Sequence, residues 1–150
     1  MKIEEAIRQA RFSDPYQRMI VNLIYSGNWV RDEQVRLLKP FGILPQHFNV
    51  LRILKGKYPE PVSPGAIREV MIDKANDLTR LLDKLEKKGW IQRGLCPSNR
   101  RKMDVRITDA GIGLLEETTR ALDGLMAGIK ARVTAEEATV LGRLLDQVRT

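Results

Sequence analysis

The sequence predicts a mainly α-helical fold carrying one β-hairpin, and three observations lead there. Apolar residues recur at helical spacing near both ends of the chain. After Gly89 the period switches to strict alternation in "MDVRIT", residues 103–108. Between these segments stand helix-capping and turn residues in the order a string of short elements requires.

Taken in order, residues 3–11 predict a short helix. A long one follows, opened by Ser13 or Asp14 as N-cap with Pro15 in the first turn. Ile20, Leu23, Ile24, Val30, Val35 and Leu38 form its stripe, and Pro40 and Gly42 stop it. A third helix carries Phe48, Leu51 and Leu54 on one face, with Gly56 near its end. After the Pro-rich "PEPVSPG", Ser63 is the N-cap and Pro64 the first residue of a short helix ending near Met71. Asp73 then predicts a second cap, opening a helix over residues 74–88 with Gly89 as its C-terminal glycine. Two helices joined by about three residues have helix-turn-helix spacing. "WIQRGLC" and "MDVRIT" predict the two strands of a hairpin, with "PSNRRK" as a protruding loop too long for a two-residue turn. One more helix begins near Thr108 and carries Leu115, Leu122, Leu125, Met126 and Ile129. In the last, Thr134 and Glu137 have capping-box spacing ahead of Leu141, Leu144, Leu145 and Val148.

At 150 residues the chain is long enough to bury a core as a single domain. No apolar run reaches the roughly 18 residues of a membrane span, and "MKIEEAIRQA" lacks the apolar centre of a signal peptide. A single cysteine makes no intramolecular disulfide, in keeping with a reducing compartment. The expected location is therefore the cytoplasm.

The net charge of +7 is unevenly placed. Residues 39–106 hold 15 Lys and Arg against 7 Asp and Glu, whereas the two ends together hold 11 against 12. A localised basic surface points to a polyanion, nucleic acid ahead of anionic membrane. Within the basic segment two elements suit DNA. The helix beginning at Lys74 buries Leu78, Leu81, Leu82 and Leu85, leaving Lys74, Asn76, Asp77, Thr79, Arg80 and Lys84 on other faces. Such side chains fit a major groove, where Asn reads adenine, Arg reads guanine, and Thr or Lys holds phosphate. Taken alone, that pattern also describes a solvated amphipathic helix. The hairpin shifts the balance, because Arg100, Arg101 and Lys102 are adjacent like charges that phosphate would relieve. A basic hairpin after the second helix of a helix-turn-helix is a winged helix, and an Arg on its tip can enter a narrow minor groove.

"LPQHFNVLRIL", "LTRLLDKLEKKGWIQR" and "NRRKMDVRITDAGIGLLEE" resemble the multiple-antibiotic-resistance regulator (MarR) family of bacterial transcription regulators. The motifs run from about Phe41 to Glu117, and long flanking helices complete that family's plan. The resemblance implies a winged-helix lobe over residues 41–108 and dimerisation helices over residues 1–40 and 109–150. It implies a homodimer on pseudo-palindromic duplex DNA, repression, and a nucleoid location when bound. Carried over residue by residue, DNA contacts fall to Ser63, Lys74, Ala75, Asn76, Asp77, Thr79, Arg80, Lys84, Asn99, Arg100, Arg101 and Lys102. Arg101 matches the family's minor-groove arginine. Two residues before that Arg the family has an acid, and this chain has Asn99, which can hydrogen-bond a neighbour but cannot form an ion pair. The resemblance also implies a pocket for a small aromatic or phenolic effector, for which Trp29, Phe41, His47 and Arg52 are the candidates; core packing is the competing role for the aromatics.

Other chemistry finds little material. His47 is the only histidine, which leaves nothing for a His-based metal site or a catalytic triad, and its expected role is to cap or pack at a helix start. Cys96 is expected to be a structural thiol beside Arg93, Arg100 and Arg101. Without a Gly-rich phosphate loop, a carboxylate pair or a nucleophile motif, no enzyme and no cofactor is expected. The alternative function is a winged-helix module that binds protein instead of DNA.

Overall fold

The computed structural model describes all residues, 1–150. Seven helices and one hairpin follow the predicted order: α1 (Ile3–Ala6), α2 (Pro15–Leu38), α3 (Pro45–Lys57), α4 (Pro64–Val70), α5 (Leu78–Lys87), β1 (Ile91–Cys96), β2 (Asn99–Ile107), α6 (Asp109–Lys130) and α7 (Ala135–Arg149). This is the mainly α fold with a two-stranded antiparallel wing that the periodicity predicts.

Local chemistry sets most boundaries. Asp14 accepts the Gln17 N–H at 2.8 Å to open α2, and Ser63 accepts the Ala66 N–H at 3.2 Å to open α4. Thr134 and Glu137 exchange both bonds of the capping box at the start of α7. A single 3-10 turn, Lys39–Phe41, extends α2 before Gly42 ends it at φ 71°, a left-handed conformation that glycine adopts without a Cβ clash. The predicted first helix is shorter than expected, four residues in place of nine.

Two predicted elements need correction. The helix expected over residues 74–88 does not begin at Lys74. Asp73 caps only a local turn, accepting the Ala75 N–H at 3.0 Å, and Asp77 is the N-cap of α5, accepting the Arg80 N–H at 3.2 Å. The connector from α4 is therefore residues 71–77, longer than the three-residue link expected. The physical reason is the connector's own bonding: the Ile72 N–H donates to Asn49 Oδ1 and Gln46 Nε2 donates to Asn76 Oδ1, which hold these residues out of a helix. Leu78, Leu81, Leu82 and Leu85 are buried as expected. The wing tip is also tighter than predicted. Cys96 pairs with Asn99 across a two-residue turn, Pro97 and Ser98, while Leu95 pairs with Met103. Arg100, Arg101 and Lys102 are left opposite no residue and form a bulge in β2.

The core is a cluster of 17 buried apolar residues, all between Leu38 and Leu115. It joins α3, α4 and α5 to the base of the hairpin and to the first turns of α6. Val62 adds a bridge, exchanging two backbone bonds of 2.9 Å with Val105, so the Pro-rich connection lies beside β2. The T-D-A-G segment closes this lobe. Thr108 donates to Gly89 O at 2.7 Å and accepts the Gly111 N–H at 3.1 Å. A Cβ on Gly111 would stand 2.1 Å from Trp90 O, so only glycine permits that approach. Outside residues 38–118, Ile3 is the one buried residue.

Candidate nucleic-acid interface

The structure places most of the sequence-predicted contact residues at two exposed sites, the start of α5 and the tip of the wing. Lys74, Ala75, Asp77, Thr79 and Arg80 are exposed around the N-terminus of α5. That end carries the positive pole of the helix dipole and suits phosphate. Lys74 donates to Glu69 O at 2.7 Å and thereby also caps the end of α4. Asn76 is half-buried and committed within the turn: its Nδ2 donates to Asp73 O at 3.3 Å and its Oδ1 accepts from Gln46 at 3.2 Å. Ser63 is taken up in capping α4. Lys84 lies on the inner side of α5, where its charge helps hold His47 neutral.

On the wing, Asn99, Arg100, Arg101 and Lys102 are all exposed. Asn99 Oδ1 accepts the Arg101 N–H at 3.1 Å. An amide oxygen thus fixes the backbone of Arg101 where an acid would have offered an ion pair. None of Arg80, Arg100, Arg101, Lys102 and Arg106 enters a salt bridge, whereas Arg18, Arg36, Arg93 and Arg149 all do.

Sequence reasoning missed the role of Arg93. Its side chain donates to Asp83 at 2.7 Å and to Glu86 at 3.1 Å, and its backbone N–H donates to Glu86 at 2.9 Å. These bonds hold the Glu86 carboxyl below the usual carboxylate range. They also join β1 to α5. The signal was present as Asp83 and Glu86, three apart on a helix and so on one face, with a basic residue in the next strand.

Cys96 is half-buried at the wing tip, with its Sγ 3.2 Å from the Ser98 hydroxyl. That hydrogen bond holds the thiol below its ordinary value, while Asp104 opposes the shift. No three His, Cys, Asp or Glu side chains are grouped to hold a metal ion.

A cavity of about 310 Å³ lies where α2 crosses α3, against the connector between α4 and α5. Arg31 and Gln34 of α2 face Gln46, Phe48, Asn49 and Arg52 of α3, and Ile72, Asp73 and Asn76 close it. Of the four effector candidates, Arg52 lines this space, with its guanidinium 5.9 Å from the Phe48 ring. Trp29 is 40% exposed on α2, Phe41 packs against the core, and His47 is buried beneath α3. His47 Nδ1 accepts the Leu44 N–H at 3.0 Å, the helix-start capping its position predicts. Burial first, and Lys84 second, push its pKa down to about 4. No helix is long and apolar enough to cross a membrane.

Comparison with known proteins agrees with this geometry. Residues 44–103 match the model of the MarR family. The multiple antibiotic resistance protein MarR of Salmonella typhimurium is 30% identical over 128 residues, covering 84% of this chain and 88% of the relative. The HTH-type transcriptional regulator PecS of Dickeya dadantii is 26% identical, covering 75% and 69%. Among solved structures, a mutant of Escherichia coli MarR complexed with operator DNA superposes with a TM-score of 0.70 at 28% identity, covering 91% of this chain and 99% of that one. A putative MarR-like regulator from Bacillus cereus has the same fold, with a TM-score of 0.78 at 16% identity. With the matched relative spanning most of both chains and the wing and recognition helix in place, this protein belongs to the MarR family.

Proposed function

We propose that the protein is a homodimeric transcription regulator that binds pseudo-palindromic duplex DNA. The α5 helix enters the major groove, presenting Thr79 and Arg80 from the helix and Lys74, Ala75, Asn76 and Asp77 from the turn before it. The wing follows the backbone and places Arg101 in the adjacent minor groove. Ser63 and Lys84 flank these contacts. The observation that carries this reading is the bulge in β2 that leaves Arg100, Arg101 and Lys102 exposed and unpaired with any acid, on the hairpin that follows α5. Holding three like charges together on a tip is unfavourable until phosphate neutralises them. A relative 28% identical has been solved on operator DNA, which supports the same partner here.

In this reading residues 41–108 form the DNA-reading lobe, and residues 1–40 and 109–150 pair two copies. The exposed apolar residues of α2 and α7, among them Ile20, Leu23, Leu141 and Leu144, supply the pairing surface. Two-fold symmetry then sets half-sites about 10 bp apart. Bound at a promoter such a dimer blocks polymerase, so repression is the expected sign. The protein works in the cytoplasm, on the nucleoid when bound. The cavity with Arg31 and Arg52 on its walls suits a small aromatic acid, whose binding would favour a spacing of the lobes that does not match DNA.

Selection of bound sequences from a random duplex pool tests this directly. A dyad-symmetric consensus is expected, with affinity falling steeply as salt rises. Absence of binding to any duplex at about 50 mM salt would overturn the proposal and leave a protein-binding winged helix in its place.

A further inference from the structure

The connector that precedes the recognition helix is held by side chains from α3. The Ile72 N–H donates to Asn49 Oδ1 at 3.0 Å, and Gln46 Nε2 donates to Asn76 Oδ1 at 3.2 Å. Gln46 and Asn49 are three apart, one turn of α3, and so present both amides from one face. One bond fastens the beginning of the connector, where α4 has just ended. The other fastens its end, one residue before the Asp77 cap that starts α5. Of the remaining bonds, those from the Ala75 N–H to Asp73 Oδ1 and from Asn76 Nδ2 to Asp73 O are internal to the connector. Those from Lys74 Nζ to Glu69 O and from the Met71 N–H to Ile67 O tie it back only to α4.

We propose that Gln46 and Asn49 are positioning residues for DNA reading: they set the pose of the connector and hence the angle at which α5 meets the groove. This rests on the function proposed above. The packing of Leu78, Leu81, Leu82 and Leu85 holds α5 in the core. Packing against apolar neighbours leaves small rotations and shifts of the helix N-terminus open, and directional hydrogen bonds remove them. Base readout needs that precision, because bidentate contacts tolerate little displacement, whereas phosphate contacts tolerate more.

The same two amides line the cavity between α2 and α3, and Ile72 and Asn76 line it from the other side. An occupant that hydrogen-bonds Gln46 or Asn49 therefore competes with the connector for the same donor or acceptor. Each bond is neutral and only part-buried or exposed, so its net contribution is small against the stability of a whole domain. It can be exchanged without unfolding the lobe. The cavity and the reading head are thus coupled through two named bonds.

The test compares the unaltered chain with Asn49→Leu, Gln46→Ala and Asn49→Asp. Each is titrated against a duplex selected by the unaltered chain and against a random-sequence duplex, over a range of salt. Asn49→Leu and Gln46→Ala should lower the ratio of selected to random affinity by about tenfold, the scale of one lost hydrogen bond. Random-duplex affinity and its salt slope should stay unchanged, because phosphate contacts remain. Asn49→Asp keeps an acceptor for the Ile72 N–H and should preserve the ratio, even where its added charge lowers both affinities. An unchanged ratio in Asn49→Leu and Gln46→Ala, or Asn49→Asp failing as Asn49→Leu does, would overturn the positioning role. So would a parallel fall in both affinities that tracks the melting temperature, since that marks simple destabilisation. If the unaltered chain binds no duplex, the proposed function itself fails and the inference fails with it.

Discussion

The central lobe and the terminal helices treat the same kind of side chain in opposite ways. In α5, Leu78, Leu81, Leu82 and Leu85 form a helical stripe that is fully covered within one copy of the chain. In α7, Leu141, Leu144 and Val148 have the same spacing and stay 53%, 44% and 45% exposed, and no residue of that helix is buried. The α2 helix resembles α7, with Ile20, Leu23 and Ile24 exposed and Leu38 alone buried, where it meets the lobe. Charge follows a complementary division. The lobe carries the unpaired arginines of the proposed DNA surface, and the ends are nearly neutral. A lobe that closes its own core folds as a unit and can spend its surface on an anionic partner. Helices that leave apolar stripes open need a second apolar surface. Under the proposed function, that surface is another copy.

Charging the open stripe tests this contrast most severely. Leu141→Glu combined with Leu144→Glu should convert a dimer to a monomer in sedimentation. It should also weaken binding to a two-half-site duplex by about 100-fold or more, because the second half-site contact is no longer linked to the first. The amide spectrum of the hairpin should stay as it was. An unaltered sedimentation coefficient would place the pairing surface elsewhere.

A smaller effect belongs to the other side of the contrast, the closed lobe. His47 has its pKa pushed from 6.5 down to about 4. Unfolding at a pH between those values therefore takes up a proton that the folded lobe does not hold. Stability is full above about pH 6.5 and falls as the pH drops toward about 4. The loss amounts to about 3–4 kcal/mol at most, since each tenfold change in proton affinity is worth about 1.4 kcal/mol. Denaturant titrations across this window measure it. His47→Gln, which keeps an acceptor for the Leu44 N–H, should flatten the profile, and an equally steep profile in that variant would assign the sensitivity to other groups.

The smallest effect on folding is expected at the wing tip. Arg101→Ala should leave the melting temperature unchanged, since the side chain is exposed and makes no ion pair. Its affinity for DNA should fall by about 1–3 kcal/mol. A large drop in melting temperature with intact binding would overturn the wing assignment.

How much was legible beforehand follows from how local each signal is. Asp14, one of two candidates with Ser13, and Ser63 and Thr134 cap the helices they were expected to cap, because a cap needs only its own next three residues. Asp73 and Asp77 are both good caps four residues apart, and no local rule chooses between them. The choice went to Asp77 because Asn49 and Gln46 of α3 hold the connector away from helical geometry. The alternation in "MDVRIT" correctly marked β2, and the three charges were rightly placed at the tip. Their arrangement as a bulge opposite no partner depends on cross-strand register, which alternation within one strand does not specify. Arg52 was found as a cavity residue, whereas Arg31, Gln46 and Asn49 were not, because that cavity exists only where α2 crosses α3.

The helix order, the caps, the hairpin, the basic middle segment and the motifs that point to the family were thus all written in the linear chain. They depend on residues near one another in sequence, where hydrogen bonds and periodicity act directly. Packing in three dimensions settled where α5 starts, how Arg93 joins the wing to it, and which polar side chains line the cavity. Each of these joins residues from different elements, 30 positions apart for Gln46 and Asn76. Their contact is set by how apolar faces pack, and not by any pattern along the chain.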